Sequence, residues 1–475
     1  MDFSWSLIVD LGIIAGSLLL ATLIRAKVSF FQKYLIPNAL TAGFIILPYY
    51  NFVAPYHGLD THGLGTLVYH LLNLAFIAMT LRRLPVDPSI KKRSNIFAHS
   101  TGTLSQYALQ TVVGLVLVMV FIKTLFPDLN PGFGFLLPLG FVLGPGQAFA
   151  IGQSWEKLGF DGASSLGLTF AAIGFLWGCF GGVFLMNYGI RKGWIEKKHL
   201  NKIYQKGTRS GILTRDEEKP EGTRLTTDSE AIDSMTYHAA LIFFIYLFSF
   251  LLLKLITWAL GFLGPLGDQF AESLWGINFI FSALMAMIFR KLIQVFHMEH
   301  TADNGTLTRI SGLSIDLMVT AAIGAISLVV VRSFWLPILL TTVIGGTLTL
   351  VTTPWFCSRL FTDHRFHRTI MIYGASTGTM PTGLSLLRAM DPEFETPVAT
   401  DYMFSSGITF GLAIPLILVV NYPTLSKLNN NPVLFWIALT VSACYVLYVM
   451  AAFLLLARRR AFARSSQVWL KKTKD

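Results

Sequence analysis

The chain has 475 residues, of which 53% are hydrophobic and 13% charged, and its mean hydropathy is +0.59. Soluble domains carry about 25% charged residues, so this composition excludes a water-soluble globular protein and implies a polytopic membrane protein. The net charge of +11 is gathered in a few loops rather than along one face of a soluble domain, which excludes a nucleic-acid-binding reading.

In chain order, the opening MDFSWSLIVD has no basic region ahead of its apolar run, which argues against a cleaved signal peptide. A membrane span needs about 20 mostly apolar residues. On that criterion the sequence predicts spans at 4–24, 34–54, 64–81, 100–122 and 162–186. A polar stretch with no apolar period follows. The second half has spans at 237–260, 274–290, 309–331, 334–357 and 397–421, and one more at 433–456. Two other apolar stretches, 133–158 and 368–391, are interrupted by Gly and Pro and read as re-entrant hairpins.

The basic residues set the orientation. Arg25, Lys27 and Lys33 follow the first span, and Arg82, Arg83, Lys91, Lys92 and Arg93 the third. Arg191, Lys192, Lys197 and Lys198 follow the fifth, and Arg290 and Lys291 the seventh. Arg359, Arg365 and Arg368 follow the ninth, and Arg458, Arg459 and Arg460 the last. The loops 55–63 and 422–432 are nearly uncharged. The positive-inside rule then places the N-terminus outside, with the linker and C-terminus in the cytoplasm of a multi-pass protein of the cell (inner) membrane.

Each half holds five spans and one hairpin between its fourth and fifth spans. An odd number of crossings inverts the second half. The fold expected is an all-α polytopic membrane protein of two inverted repeats, each of five transmembrane helices with one re-entrant hairpin, plus one extra C-terminal helix. The divisions are 1–190 for the first repeat, 191–236 for a cytoplasmic linker, 237–421 for the second repeat, and 422–475 for the extra helix and a basic cytoplasmic tail.

Two matched segments carry the functional signal: GPGQAFAIG at 144–152 and GASTGTMPTG at 374–383. Non-helical backbone inside a membrane is tolerated where protein buries it or where it lines a watery cavity. Paired breaks in two halves mark a transporter's binding site. The candidate substrate-binding residues are Gly144, Gly146, Gln147 and Ala148 on the first hairpin, and Gly374, Ser376, Thr377, Gly378 and Thr379 on the second. Glycine admits a sharp turn and close approach of the backbone, helix N-termini favour a carboxylate, and hydroxyl and carbonyl oxygens suit a hard cation. The competing reading is that these small residues only allow tight helix packing.

Ser376, Thr377, Thr379, Asn73 and Asp316 form the candidate sodium or proton site. Asn73 and Asp316 occupy nearly equivalent places in the third and eighth spans, and an acid within a span is a functional hypothesis. An interfacial ion pair with Arg309 is the alternative for Asp316. Arg388 is a weaker candidate clamp for a carboxylate. Glu156 and Lys157 flank the first hairpin and read as surface groups. Asp10 and Arg332 read as structural. The histidines and the cysteines Cys179, Cys357 and Cys444 show no ligand spacing, so neither a metal cluster nor a disulfide framework is expected. No GxxxxGK[ST] loop is present, so transport would be secondary rather than ATP-driven. No convincing nucleophile, acid–base pair or metal cluster is set within the membrane spans, and the chain does not read as an enzyme.

With YLIPNALTAGF at 34–44, QSWEKLGF at 153–160 and MPTGLSLLRAM at 380–390, the chain resembles the bacterial sodium/glutamate symporter family over residues 1–421. It departs from that family's Gly-Gly-x-Gly-type hairpin tips, and the last span has no counterpart there. The resemblance implies a homodimeric symporter that carries glutamate or a similar small organic anion with sodium as coupling ion, without other cofactors or nucleic acid. The alternatives are a proton-coupled carrier of another carboxylate and, in a different class, an ion channel whose pore the two hairpins line.

Overall fold

The computed structural model describes residues 5–82, 93–194, 212, 222–391 and 396–470. Among these residues ten helices are long and apolar enough to cross a membrane, the architecture of a membrane-embedded polytopic protein. The expected loop residues Arg83, Lys91, Lys92, Lys197 and Lys198 lie outside the described residues.

The first half supplies α1 (Ser6–Lys27), the short α2 (Ser29–Lys33), α3 (Asn38–Phe52), α4 (Thr61–Leu81) and α5 (Arg93–Thr124). The first hairpin follows, with an incoming arm Pro131–Leu143 and an outgoing helix α6 (Pro145–Lys157). It leads into α7 (Ala163–Arg191). The second half supplies α8 (Ser234–Gly261), α9 (Pro265–Gly276), α10 (Asn278–Val295), α11 (Asn304–Gly324), the short α12 (Leu328–Ser333) and α13 (Trp335–Leu360). The second hairpin is the broken helix α14 (Arg365–Met390). It is followed by α15 (Val398–Leu418), α16 (Tyr422–Leu428) and α17 (Pro432–Ala457).

The apolar runs propagate these helices, and short polar side chains start them. Asp60 accepts from the N–H groups of His62 and Gly63 at 3.0 and 3.2 Å ahead of α4. Asp303 accepts from the Thr306 N–H at 2.7 Å and Asp233 from the Thr236 N–H at 2.7 Å. Asn431 accepts from Val433 at 3.1 Å. Each satisfies a backbone donor that the first turn leaves without a partner.

Three expected spans differ in detail. The span expected at 34–54 is only 15 helical residues long, because Pro37 sits at its start and the chain turns at Val53. Ahead of α10 stands a separate helix, α9, where the sequence reads as loop. The span expected at 309–331 stops at Gly324, since the next turn is bound elsewhere. Ser165 Oγ accepts the Ser327 N–H at 2.7 Å, and Asn51 Oδ1 accepts the Leu328 N–H at 3.0 Å.

Packing is reciprocal between the halves. α4 lies along α11, α3 packs on α11, and α10 packs on α4. α5 receives the base of the first hairpin together with α13, α15 and α17. In α7, 72% of the apolar window is buried, against 22% in α1, α8 and α17, which makes α7 the central helix and the others the periphery. The first hairpin's two ends both reach the neighbourhood of α16: Lys427 Nζ donates to the Asp128 carbonyl, and Trp155 Nε1 donates to Asn421 Oδ1 at 2.7 Å. The second hairpin's two ends meet at the opposite, basic end of the molecule, where Arg368 pairs with Asp401 at 2.7 Å.

Candidate functional site

Each hairpin breaks at one point, and the two breaks touch. In the first, a wide turn over Leu139–Leu143 ends at Gly144, with φ 97° and ψ −178°. That conformation is nearly closed to residues with a Cβ, so glycine is required there. In the second, the break is at Gly378 (φ −143°, ψ 29°) and Thr379 (φ 69°, ψ 171°). Thr379 therefore takes the same class of conformation as Gly144. A Cβ on Gly144 would run into the Thr379 methyl group. α6 begins beside this contact with no side-chain cap, and the second arm of α14 begins there too. Two helix N-termini, whose free N–H groups favour negative charge, thus start at one contact.

α7 seats the second hairpin. A Cβ at Gly178 would lie 2.8 Å from the Thr382 methyl and 3.3 Å from Thr377 Oγ1, and one at Gly174 would strike the Thr377 carbonyl. At Trp177–Gly181 α7 widens into a five-residue turn, and the Tyr373 hydroxyl donates to the Trp177 carbonyl at 2.9 Å. Such widened turns free backbone carbonyls and recur at functional sites. The two hairpin breaks and this turn form one irregular region inside an otherwise regular helical bundle.

Beside it lies a layer of buried oxygen atoms. Gln110 of α5 donates through Nε2 to the Ser376 carbonyl at 3.0 Å and to Thr349 Oγ1 at 2.9 Å. A carbonyl only accepts, so the amide orientation is fixed, and Gln110 Oε1 is left buried without a hydrogen-bond partner among the described residues. Ser376 Oγ, Tyr107 Oη and Thr353 Oγ1 are buried and unpartnered as well. Ser376 sits in the last turn before the break, at the negative end of the first-arm helix dipole. Bare oxygens beside such an end attract a cation or ordered water.

The candidate residues fall in different places. Gly144, Gly146 and Gln147 are at the first tip, and Gly146 faces the α4–α11 pair, with a built Cβ 2.6 Å from Leu72 and 2.7 Å from Met318 Sδ. Ala148 packs behind the tip, its carbonyl against Gly167 of α7. Gly378 and Thr379 form the second tip. Gly374 is not in the break: it lies within the first arm and faces Gly383 across the hairpin. Thr377 spends its hydroxyl on the Tyr373 carbonyl at 2.9 Å. Asn73 is engaged elsewhere, accepting from Ser282 Oγ at 2.7 Å and donating to the Tyr69 carbonyl at 2.8 Å. Asp316 is exposed and stands two residues, about 200° around the helix, from Met318, so it faces away from the first tip. Glu156 accepts from Ser164 at 3.0 Å (N–H) and 2.6 Å (hydroxyl), a structural role at the start of α7. Pro381, Ser385 and Arg388 form an exposed stripe along the second arm, leading from the Thr379 tip to the basic end.

A second buried cluster escapes sequence reasoning. Arg368, fully buried, binds Asp401 at 2.7 Å and Asp363 at 3.2 Å, and its Nη1 approaches His99 Nε2 at 2.6 Å. Arginine only donates, so His99 Nε2 accepts and its proton sits on Nδ1. Asn95 donates to Asp363 at 3.3 Å. The cluster ties α5, the base of the second hairpin and α15 together. Its signal was present in the sequence, since Asp401 is a carboxylate inside the apolar run 397–421. Comparison with known proteins finds no matching family model, no similar curated protein and no similar solved structure.

Proposed function

We propose that the chain is a secondary active transporter, a sodium-coupled symporter of glutamate or a similar small organic anion that works by alternating access. The observation that carries this reading is the meeting of two broken helices, Gly144 against Thr379, in the interior of a membrane protein. In this reading both hairpins are re-entrant and the halves are inverted repeats. The reciprocal packing of α3 on α11 and α10 on α4 supports that, as does the shared conformation of Gly144 and Thr379.

The helix N-termini at the two tips hold the substrate carboxylate. The unpartnered oxygens of Gln110 and Ser376 and the last carbonyls of the first arm serve the coupling cation. The exposed stripe Pro381–Ser385–Arg388 is the water-facing approach from the basic, cytoplasmic side, and Arg388 draws the anion along it. The protein sits in the cell membrane with its N-terminus outside, and it works as a homodimer.

Purified protein in liposomes tests this directly. Labelled glutamate and related anions should accumulate under an inward sodium gradient and not under a proton gradient alone. Accumulation in sodium-free buffer driven by protons would refute sodium coupling. Asp316, exposed inside an apolar span, favours that second reading, and Asp316→Asn would then abolish the pH dependence of uptake.

A further inference from the structure

The segment after α17 is packed rather than trailing. At Arg458 the backbone turns with φ 50° and runs back beneath the basic end. Arg359, fully buried at the end of α13, holds its guanidinium 4.4 Å from the centre of the Trp355 ring. It donates through Nη2 to the carbonyls of Arg464 and Gln467 at 2.9 Å and of Ala463 at 3.3 Å. Arg365 donates to the Leu470 carbonyl at 2.8 Å, and the Leu470 N–H donates to Ser358 Oγ at 3.2 Å. Trp355 Nε1 donates to the Ser465 carbonyl at 2.9 Å, and Arg460 to that of Phe361 at 3.0 Å.

Trp469 closes the arrangement. It is buried and stacks on Trp194, ring centres 4.6 Å apart and planes within 7°. It also meets Phe366 edge-on at 5.8 Å. Three separate elements are bridged in this way: the end of α13, the first arm of the second hairpin, and the chain just past the end of α7. A buried guanidinium needs acceptors, and the carbonyls of this segment supply most of those that Arg359 has.

We propose that Arg458–Leu470 is a strap that locks the first arm of the second hairpin onto α7 and α13, and that its release frees that arm to move. The lock itself does not depend on the transporter reading; its effect on turnover does. Residues 464–468 face outward and are exposed, so the strap can be reached without opening the bundle.

Hydrogen exchange of the full chain in lipid nanodiscs tests the lock. In Trp469→Ala, peptides covering 359–373 should exchange at least ten-fold faster, while those covering 145–157 stay unchanged. Trp469→Phe keeps a ring between Trp194 and Phe366 and should restore protection. Cutting folded protein at a specific protease site placed across 464–467 should give the same acceleration, free of any folding defect. Unchanged exchange of 359–373 after both the substitution and the cut would overturn the strap. Loss of wild-type uptake with the exchange result intact would remove the transporter reading and leave the strap standing.

Discussion

Thr379 is a β-branched residue in a conformation that glycine nearly monopolises, and such a placement costs about 1–3 kcal/mol. Glycine there would relieve the strain and give back roughly 0.5–1 kcal/mol through greater freedom of the unfolded chain. Thr379→Gly should therefore stabilise the purified protein by about 1 kcal/mol, read as a higher Tm in detergent, even where it lowers uptake. A lower Tm would mean that the contact with Gly144 outweighs the strain. Gly144→Ala should destabilise, both through its positive φ and through collision with the Thr379 methyl. Pairing it with Thr379→Gly should recover part of that loss, a coupling that a double-mutant cycle measures. Valine at 146 is a different case. Gly146 has no positive φ, and a Cβ there meets Leu72 and Met318, so Gly146→Val should lower Tm by overpacking, about 1–3 kcal/mol, and, on the proposed transport function, impair uptake.

At the level of elements, the buried Arg368 cluster joins three helices that leave the second hairpin's base on different headings. Asp401→Asn leaves a guanidinium buried beside one remaining carboxylate and should cost about 3–5 kcal/mol. Replacing both partners, as in Arg368→Leu with Asp401→Leu, should cost less than Asp401→Asn alone, because the fully buried guanidinium goes with its partner, while Asp363 is partly exposed and keeps the Asn95 amide; chemical unfolding of each variant checks the order. The cap of α11 gives a pH test. Burial works to raise the Asp303 carboxyl, but hydrogen bonds from Thr306, Arg224 and Gly305 outweigh it and hold it below the ordinary carboxylate range. A lowered carboxyl stabilises above its unfolded pKa and loses that contribution as pH falls through the folded value. Stability should thus fall in acid, below about pH 4. Asp303→Asn, which still caps, should flatten that part of the Tm–pH curve. These elements also show what the sequence makes legible. Long apolar runs announce themselves because lipid demands about 20 such residues, so ten of the eleven expected spans meet helices long and apolar enough to cross, the eleventh, 34–54, being too short, and both broken segments could be read in advance. Of the candidates from Gly374 to Thr379, only the last two form the second break, because Gly374 serves the contact between the arms, and composition cannot separate a glycine that turns from one that packs. Arg368 reads as a loop charge until its partner Asp401, 33 positions on, is brought beside it. α9 is missed because its polar and apolar residues alternate over too short a length to look like a span.

For the molecule as a whole, the length of α3 has a consequence for the surrounding lipid. Its 15 residues rise about 22 Å, against roughly 30 Å of hydrocarbon in a typical bilayer. Both ends are pinned by polar bonds: Asn38 donates to Thr22 Oγ1 at 3.0 Å, and Asn51 to the Ile326 carbonyl at 2.9 Å. The helix therefore cannot slide or lengthen to meet a thicker membrane, while Phe44 and Phe52 remain exposed along it. Where α3 meets lipid, the hydrocarbon should instead thin on this flank, at a cost of fractions of a kcal/mol per Å of mismatch. In phosphatidylcholines of graded acyl length, thermal stability should be highest in short-chain bilayers and decline as the chains lengthen, and, on the proposed transport function, uptake should follow it; a flat response would show that α3 is shielded from lipid. A decline with chain length would make α3 a gauge of membrane thickness, one that concentrates the protein in thin regions of any bilayer that varies in depth.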